Sequence, residues 1–575
     1  MLGLLVPLII IGVIVWVVHT QRPDAAASGR AVPSLRRALQ YTGLLASLTA
    51  VSIGVGNLLT AAFTSGTLAG DLTDQIALGL ALTLVAAPVW LLLWRSVLTH
   101  LRGDSADRAS GGWGLYLVVA MTGSLIVALV NVVRLGTMLL QVEPFAPGAL
   151  AAALVALPVW GAHLWLERHP ALAPTSRLPA LGVLAGSTVG LIALAIGVGN
   201  VLRYALEAFY GLLPDATMVG ADTAPLLVGL VVAVAAAPVW WWHWLHQGVG
   251  ATRDTLWHTY VLLVAIFGGL VTAVTASGIV LGTALQWLIG EPSAARATAH
   301  FMSVPATIAA GLVGVLIWRY HRTVLDAATA RVRTEPERTY NYLAAGVGLV
   351  TGTAGATVAI AAAIQILVPG ALAVEAGGRN TLATALTLLA VGLPVWWAFW
   401  RRVQRHTTAG VAGERTSPSR RVYLSLLFGA TGLTAVVSLS VILFVVFRDL
   451  LDASLTVTVL HDLRIAIGLV LTAGGLSAYH WTVHREDREH AAVAPTFTTM
   501  RPRHVLLVGP DGRELAAAVA TGTGARVSSL HRLDTAGGDV DAHRVAEAIL
   551  AMPHDNVVVT IEDDGDIHVI PYEPA

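Results

Sequence analysis

The chain has 575 residues, 55% of them apolar and only 12% charged, with 35 basic and 35 acidic side chains and a formal net charge of zero. Soluble globular proteins carry about 25% charged residues, so this composition and a mean hydropathy of +0.71 exclude that class. The charge balance leaves no basic footprint for nucleic acid, and the absence of cysteine excludes disulfides, thiolate chemistry and cysteine-ligated zinc or iron–sulfur sites.

In chain order, residues 1–35 open on the apolar run Met1–Val18, followed by Arg22 and Arg30. A cleaved signal peptide carries its positive charge ahead of the apolar run, so this stretch is expected to be an uncleaved signal-anchor helix and linker. Twelve further spans are predicted at 36–63, 74–101, 113–140, 147–167, 177–207, 224–247, 257–289, 301–325, 340–368, 379–403, 420–451 and 459–484. Each has about 20 residues or more, enough for a hydrocarbon core ~30 Å thick. The expected fold is an all-α polytopic membrane protein of about 13 transmembrane helices, built as six parallel hairpins and followed by a small α/β domain.

The division follows the hydropathy: four-helix units at 36–167, 177–325 and 340–484, a linker at 485–502 and a soluble α/β domain at 503–575. Arginines crowd alternate loops, as in Arg319/Arg322/Arg331/Arg333/Arg338 and Arg401/Arg402/Arg405/Arg415/Arg420/Arg421. The other loops are short and carry acids such as Asp71/Asp74 and Asp215/Asp222. By the positive-inside rule the N-terminus is expected outside and the C-terminus in the cytoplasm. In the last domain, strands are predicted at 504–508, 525–530, 556–562 and 566–571, and helices at 513–521 and 540–552 with Asp539 or Asp541 as cap.

A proline-tryptophan helix recurs at intervals of roughly 70–80 residues, a period that sets the architecture. It reads Pro88-Val89-Trp90, Pro158-Val159-Trp160, Pro238-Val239-Trp240 and Pro394-Val395-Trp396, with weaker copies ending at Trp318 and Trp481. Proline inside a helix removes a hydrogen bond and kinks it, so each copy reads as a kink beside an interfacial aromatic belt, or as an opened carbonyl lining a cavity. The first helix of most hairpins carries its own signature: Arg36-Arg37-(x)3-Tyr41, Trp113-(x)2-Tyr116, Trp257-(x)2-Tyr260, Tyr340-Asn341-Tyr342 and Arg420-Arg421-Val422-Tyr423.

These motifs together resemble an uncharacterised family of multi-pass bacterial membrane proteins known only as a domain of unknown function. The resemblance spans about 36–484, and departs from the family pattern where proline is missing near Leu312 and Gly475. It implies a repeated membrane architecture in a bacterial cell membrane, and no activity.

Three groups of residues bear on function. Ile53-Gly54-Val55-Gly56-Asn57 recurs as Ile196-Gly197-Val198-Gly199-Asn200, and with Asn131, Arg134 and Arg203 it predicts a polar ring near the outer interface. That ring reads as a vestibule for an anion or lipid headgroup, or as snorkelling arginines with Arg203 paired to Glu207. His163, His243 and His480 occupy similar positions in three repeats, and the His480/His484 and His243/His246 spacings each put two rings on one helical face. No carboxylate recurs beside them, so no metal or other cofactor is expected. No Asp or Glu lies in the central third of any span, which argues against proton or sodium coupling.

In 503–575, Gly509-Pro510-Asp511-Gly512 reads as a tight turn, because it lacks the spacing of a phosphate-binding loop. No catalytic residues emerge. The expectation is a non-enzymatic membrane scaffold or sensor in the lipid bilayer, with a cytoplasmic protein partner on 503–575 and none among nucleic acids. An uncoupled transporter or channel for a neutral or lipid-like solute is the second reading.

Overall fold

The computed structural model describes residues 31–64, 69–103, 105–174, 179–214, 223–326, 335–368, 378–409, 414–415, 417–493, 504–509, 512–531, 541–552, 554–561 and 566–572. It divides into two compact units, Met1–His480 and Trp481–Ala575.

Among the described residues, eleven helices are long and apolar enough to cross a membrane. They are α1 (Ala31–Phe63), α2 (Ala69–Gly103), α3 (Gly111–Leu139), α4 (Pro147–Arg168), α5 (Pro179–Tyr210), α6 (Ala224–Gly248), α7 (Thr255–Leu288), α8 (Val304–Asp326), α9 (Glu335–Leu367), α10 (Gly378–Thr408) and α11 (Pro418–Leu451). A further helix, α12 (Arg464–Val493), has 30 residues but is not among the eleven. Its second half carries His480, His484, Arg485, Glu486 and Asp487, which lower its hydropathy. The anchor expected at Met1–Val18 lies outside the described residues.

A helix satisfies its backbone internally, which is why apolar segments of this length adopt it. Several starts are locally specified. Pro147 and Pro418 occupy first-turn positions where a missing N–H costs nothing. The Ser110 hydroxyl accepts from the Trp113 N–H at 3.3 Å, and the Asp254 carboxylate accepts from the Trp257 N–H at 2.9 Å. Both caps sit three residues ahead of a tryptophan, which gives the Trp-(x)2-Tyr signature a fixed place in the first turn. Two stretches are π-helical, Trp241–Gly248 in α6 and Tyr260–Ile266 in α7.

Five consecutive pairs form tightly packed hairpins: α1 with α2, α3 with α4, α5 with α6, α7 with α8, and α9 with α10. Glycine lets the backbones approach. A methyl placed on Gly190 would lie 2.6 Å from the Trp240 amide nitrogen, and one on Gly197 would lie 2.5 Å from that of Ala233. The fourth helix of a unit returns to the first, α4 against α1 and α8 against α5. Units then join in series: α3 lies on α5 and α6, and α7 lies on α10. In unit 1 the buried core gathers Tyr41, Leu44, Val97, Leu101, Trp113, Tyr116 and Leu166, all at the arginine-rich end.

The second unit holds β1 (His504–Gly509), α13 (Gly512–Thr523), β2 (Arg526–His531), α14 (Ala542–Leu550), β3 (Asn556–Ile561) and β4 (Ile567–Pro571). The strand order is β2-β1-β3-β4, with β1 parallel to β2 and β3, and β4 antiparallel to β3. Val505, Leu507, Val557, Val559 and Ile561 alternate inward and meet Val519, Val545 and Ile549 of the helices. Asp541 caps α14 by accepting from the His543 N–H at 2.9 Å, and Gly524, at φ +70°, ends α13 in the left-handed conformation that glycine tolerates. The expected βαβαββ order matches; Asp539, Pro510 and Asp511 lie outside the described residues.

Candidate functional site: a side slot in the first four-helix unit

The arginine-rich end of every unit is closed by a recurring aromatic box. Its members are a tyrosine from the third helix and a histidine from the fourth, joined in units 2 and 3 by a tryptophan from the second: Tyr116 with His163 in unit 1, Trp244 with Tyr260 and His321 in unit 2, and Trp400 with Tyr423 and His480 in unit 3. His163, His321 and His480 each place Nδ1 2.7–2.9 Å from the carbonyl oxygen four residues earlier. A carbonyl only accepts, so Nδ1 carries the proton and Nε2 is the free acceptor of the neutral ring.

The three boxes differ in how that acceptor is used. In unit 1 the Tyr116 hydroxyl donates to His163 Nε2 at 2.9 Å. In units 2 and 3 the residue before the histidine is also a tyrosine, and it takes the tryptophan instead. Trp244 Nε1 donates to Tyr320 Oη at 3.2 Å, and Trp400 Nε1 donates to Tyr479 Oη at 2.8 Å. Among the described residues, Tyr260 Oη, His321 Nε2, Tyr423 Oη and His480 Nε2 are then left buried without a hydrogen-bond partner, although the Trp240 indole lies beside Tyr260. Unit 1 has Ala162 at that position and so keeps its tyrosine–histidine bond.

His321 therefore belongs with His163 and His480 on the fourth helices. His243 follows its tryptophan at the Trp-(x)2 spacing of His163 and His321 but sits on a second helix, with its ring filling the space left by Gly186. His246 stacks on Trp241 and Trp242, and His484 lies against Trp481. Among the described residues no group of three His, Asp or Glu side chains converges as a metal site would.

The helices run unbroken through Pro88, Pro158 and Pro394, and at Pro238 the helix passes into the π-helical stretch. All four prolines are exposed, and none lines a cavity described below. Their tryptophans turn inward by comparison: Trp90, Trp160, Trp240 and Trp396 are half-buried, and the indole nitrogens of Trp90, Trp160 and Trp396 are enclosed without an acceptor among the described residues. A buried N–H of this kind costs about 1–3 kcal/mol.

Beyond the aromatic core, unit 1 opens into a cavity of about 670 Å³ between α1, α3 and α4. It runs from Leu45 and Val159 to Thr60 and Gly148, roughly 22 Å along α1 at 1.5 Å per residue. Gly56, Gly123, Gly148, Ala152 and Ala156 vacate the volume, and no charged side chain among the described residues lines it. Thr49, Ile53, Gly123 and Val127 on its rim are exposed, so the cavity is a slot that opens sideways between α1 and α3. Thr49, Thr60 and Ser124 give their hydroxyl protons to their own helices and present only lone pairs. Ser52, Asn57 and Gln75 also line the cavity. A site of this size with a few neutral polar groups in apolar walls suits a drug-sized or lipid-sized molecule. Unit 2 has two smaller cavities, about 190 Å³ beside Trp240 and His321 and about 500 Å³ between α7 and α8.

Of the five residues in the expected polar ring, Asn57 lines this cavity and the others do not. Asn131 donates to the Val127 carbonyl at 2.8 Å, and Arg134 is exposed. Asn200 packs against Gly229 of α6, and Arg203 pairs with Glu207 at 3.6 Å. The glycines of the two identical strings pack alike, Gly54 on Gly79 of α2 and Gly197 on Gly229 of α6, and the difference lies at the asparagines. The cavity itself escapes sequence reading, because its walls are small residues drawn from three separate helices.

At the start of α1, Arg36 and Arg37 clasp the buried Asp107 carboxylate in the connection between α2 and α3, with Arg36 at 3.1 Å. Burial alone would raise the Asp107 carboxyl, but the two guanidinium groups outweigh it and hold it below the usual carboxylate range. Unit 3 repeats the device with other residues: Arg338 bridges Glu335 and Glu414 at 3.0 and 3.1 Å, and Ser417 and Ser419 donate to Glu335.

A family model described as a domain of unknown function (DUF5671) matches the chain three times, at 37–149, 180–320 and 338–498. No curated protein matches, and no solved structure does.

Proposed function

Starting from a chain that belongs to the family of the DUF5671 domain of unknown function, we propose that it is a membrane sensor whose first four-helix unit takes up a neutral amphipathic molecule from the bilayer. The slot between α1 and α3 carries this reading. It opens sideways, is lined by apolar and small side chains, and offers Ser52, Asn57 and Gln75 as neutral hydrogen-bonding groups. The ligand class that fits is an elongated apolar body with an uncharged head that both donates and accepts. The α/β unit is the output, facing the cytoplasm of a bacterial cell and docking a protein partner; its lack of a phosphate-loop spacing supports a docking role over a catalytic one.

Gly123 provides the test, because a methyl placed there meets nothing within 4 Å and a larger side chain extends over the slot. Wild type and Gly123→Leu are purified in mild detergent, and the small molecules that accompany each are identified by mass spectrometry. An uncharged amphipathic species retained by wild type and lost from Gly123→Leu is the expected result. Equal retention sinks the reading. Ser52→Cys separates it from transport: a lipid-soluble maleimide labels a bilayer-facing slot, whereas labelling by a membrane-impermeant maleimide marks a water-filled path and favours a facilitator.

A further inference from the structure

The junction between units has a repeating grammar. A position nine residues before the Pro-Val-Trp tryptophan on a second helix meets a glycine on the third helix of the preceding unit. Val231 stands there before Trp240, and a methyl on Gly136 of α3 would lie 2.5 Å from its Cγ1. Thr387 stands there before Trp396, and a methyl on Gly282 of α7 would lie 4.0 Å from its Cβ. Counted from the tyrosine of each third helix, the two glycines fall at similar places, and α7 gains its extra residues through the π-helical stretch that starts at Tyr260.

Among the described residues the same grammar leaves two ends unused. On α2 the corresponding residue before Trp90 is Ala81, which is exposed, with Val85 beside it at 71% exposure. On α11 the position that corresponds to Gly136, counted from Tyr423, is Leu443, 45% exposed, with Phe444 and Phe447 next to it. Only 6% of the apolar stretch of α11 is buried. In the two internal junctions the second helix supplies the branched residue and the third helix the gap. At the free ends the sizes are exchanged: Leu443 is the knob and Ala81 the hole.

We infer that α11 of one chain docks on α2 of a second copy, continuing head to tail the contact that α3 makes with α6 and α7 makes with α10. The occupant is another copy of this chain, because the chain already makes that contact twice within itself. The association is heterologous, so it either closes into a ring or extends as a row.

The natural absence of cysteine makes the test direct. Ala81→Cys and Leu443→Cys are placed in two differently tagged chains, co-expressed, and oxidised in native membranes. Gly282→Cys with Thr387→Cys in one chain is the control, since its Cβ separation suits a disulfide. The expected result is a mixed-tag dimer well above either single-cysteine chain, and a ladder when one chain carries both substitutions. Closure of the control without the mixed dimer means that lipid covers these faces, and the proposal falls. Self-linking of Ala81→Cys alone would indicate a two-fold contact, which overturns it as well.

Discussion

Tyr116, Tyr260 and Tyr423 hold one position in three units, and only the first hydroxyl has a hydrogen-bond partner among the described residues. The same chemical change should therefore have opposite signs. Tyr116→Phe removes a bond and strands His163 Nε2, a loss of about 1–3 kcal/mol. Tyr423→Phe deletes a buried hydroxyl that bonds to nothing, so it should be neutral or slightly stabilising. Thermal unfolding of both variants in detergent decides the matter, and an equal loss in the two would show that an ordered water completes the third box. None of this difference was readable from spacing alone. It turns on whether alanine or tyrosine precedes the histidine, and its meaning appears only once a tryptophan from another helix is seen to reach that tyrosine.

Between elements, the clasp of Arg36 and Arg37 on Asp107 ties the start of α1 to the connection between α2 and α3. Because the folded-state carboxyl sits below its unfolded value, its contribution is present in full above the unfolded value and is lost as pH falls through the folded one. Asp107→Asn should lower stability by about 1–2 kcal/mol near neutral pH, since Arg36 remains 38% exposed and solvent weakens its part. The variant should also flatten the acid limb of a melting-temperature profile. A profile that keeps the wild-type acid limb would assign it to other carboxylates. Helix positions and the succession of C-terminal strands and helices along the chain were legible, because apolar run lengths and the alternation of Val505, Leu507, Val557 and Val559 with more exposed neighbours depend on local sequence. The π-helical stretches and the close approach at Gly190 and Gly197 were not, because each reflects what a neighbouring helix presents.

For the molecule as a whole, the arginine-rich loops and the aromatic boxes fall at one end of all three units, and the cavity of unit 1 extends away from it. If that end faces the cytoplasm, a tag after Ala575 is shielded from protease in intact cells and cut in inside-out vesicles. The reverse pattern would invert the orientation and move the α/β unit outside.

The repeated junction also bears on ancestry. Gly136 and Gly282 face Val231 and Thr387 by one rule, so a duplication that copies a whole four-helix unit brings its own socket and its own knob, and needs no second change to be accommodated. Loss of the middle unit would set Gly136 opposite Thr387, a pairing of the kind already present. A chain with this property can lengthen or shorten by inheritance in steps of one unit. Its terminal faces, where Ala81 and Leu443 exchange the sizes of knob and hole, are where the series passes from one chain to the next if copies associate.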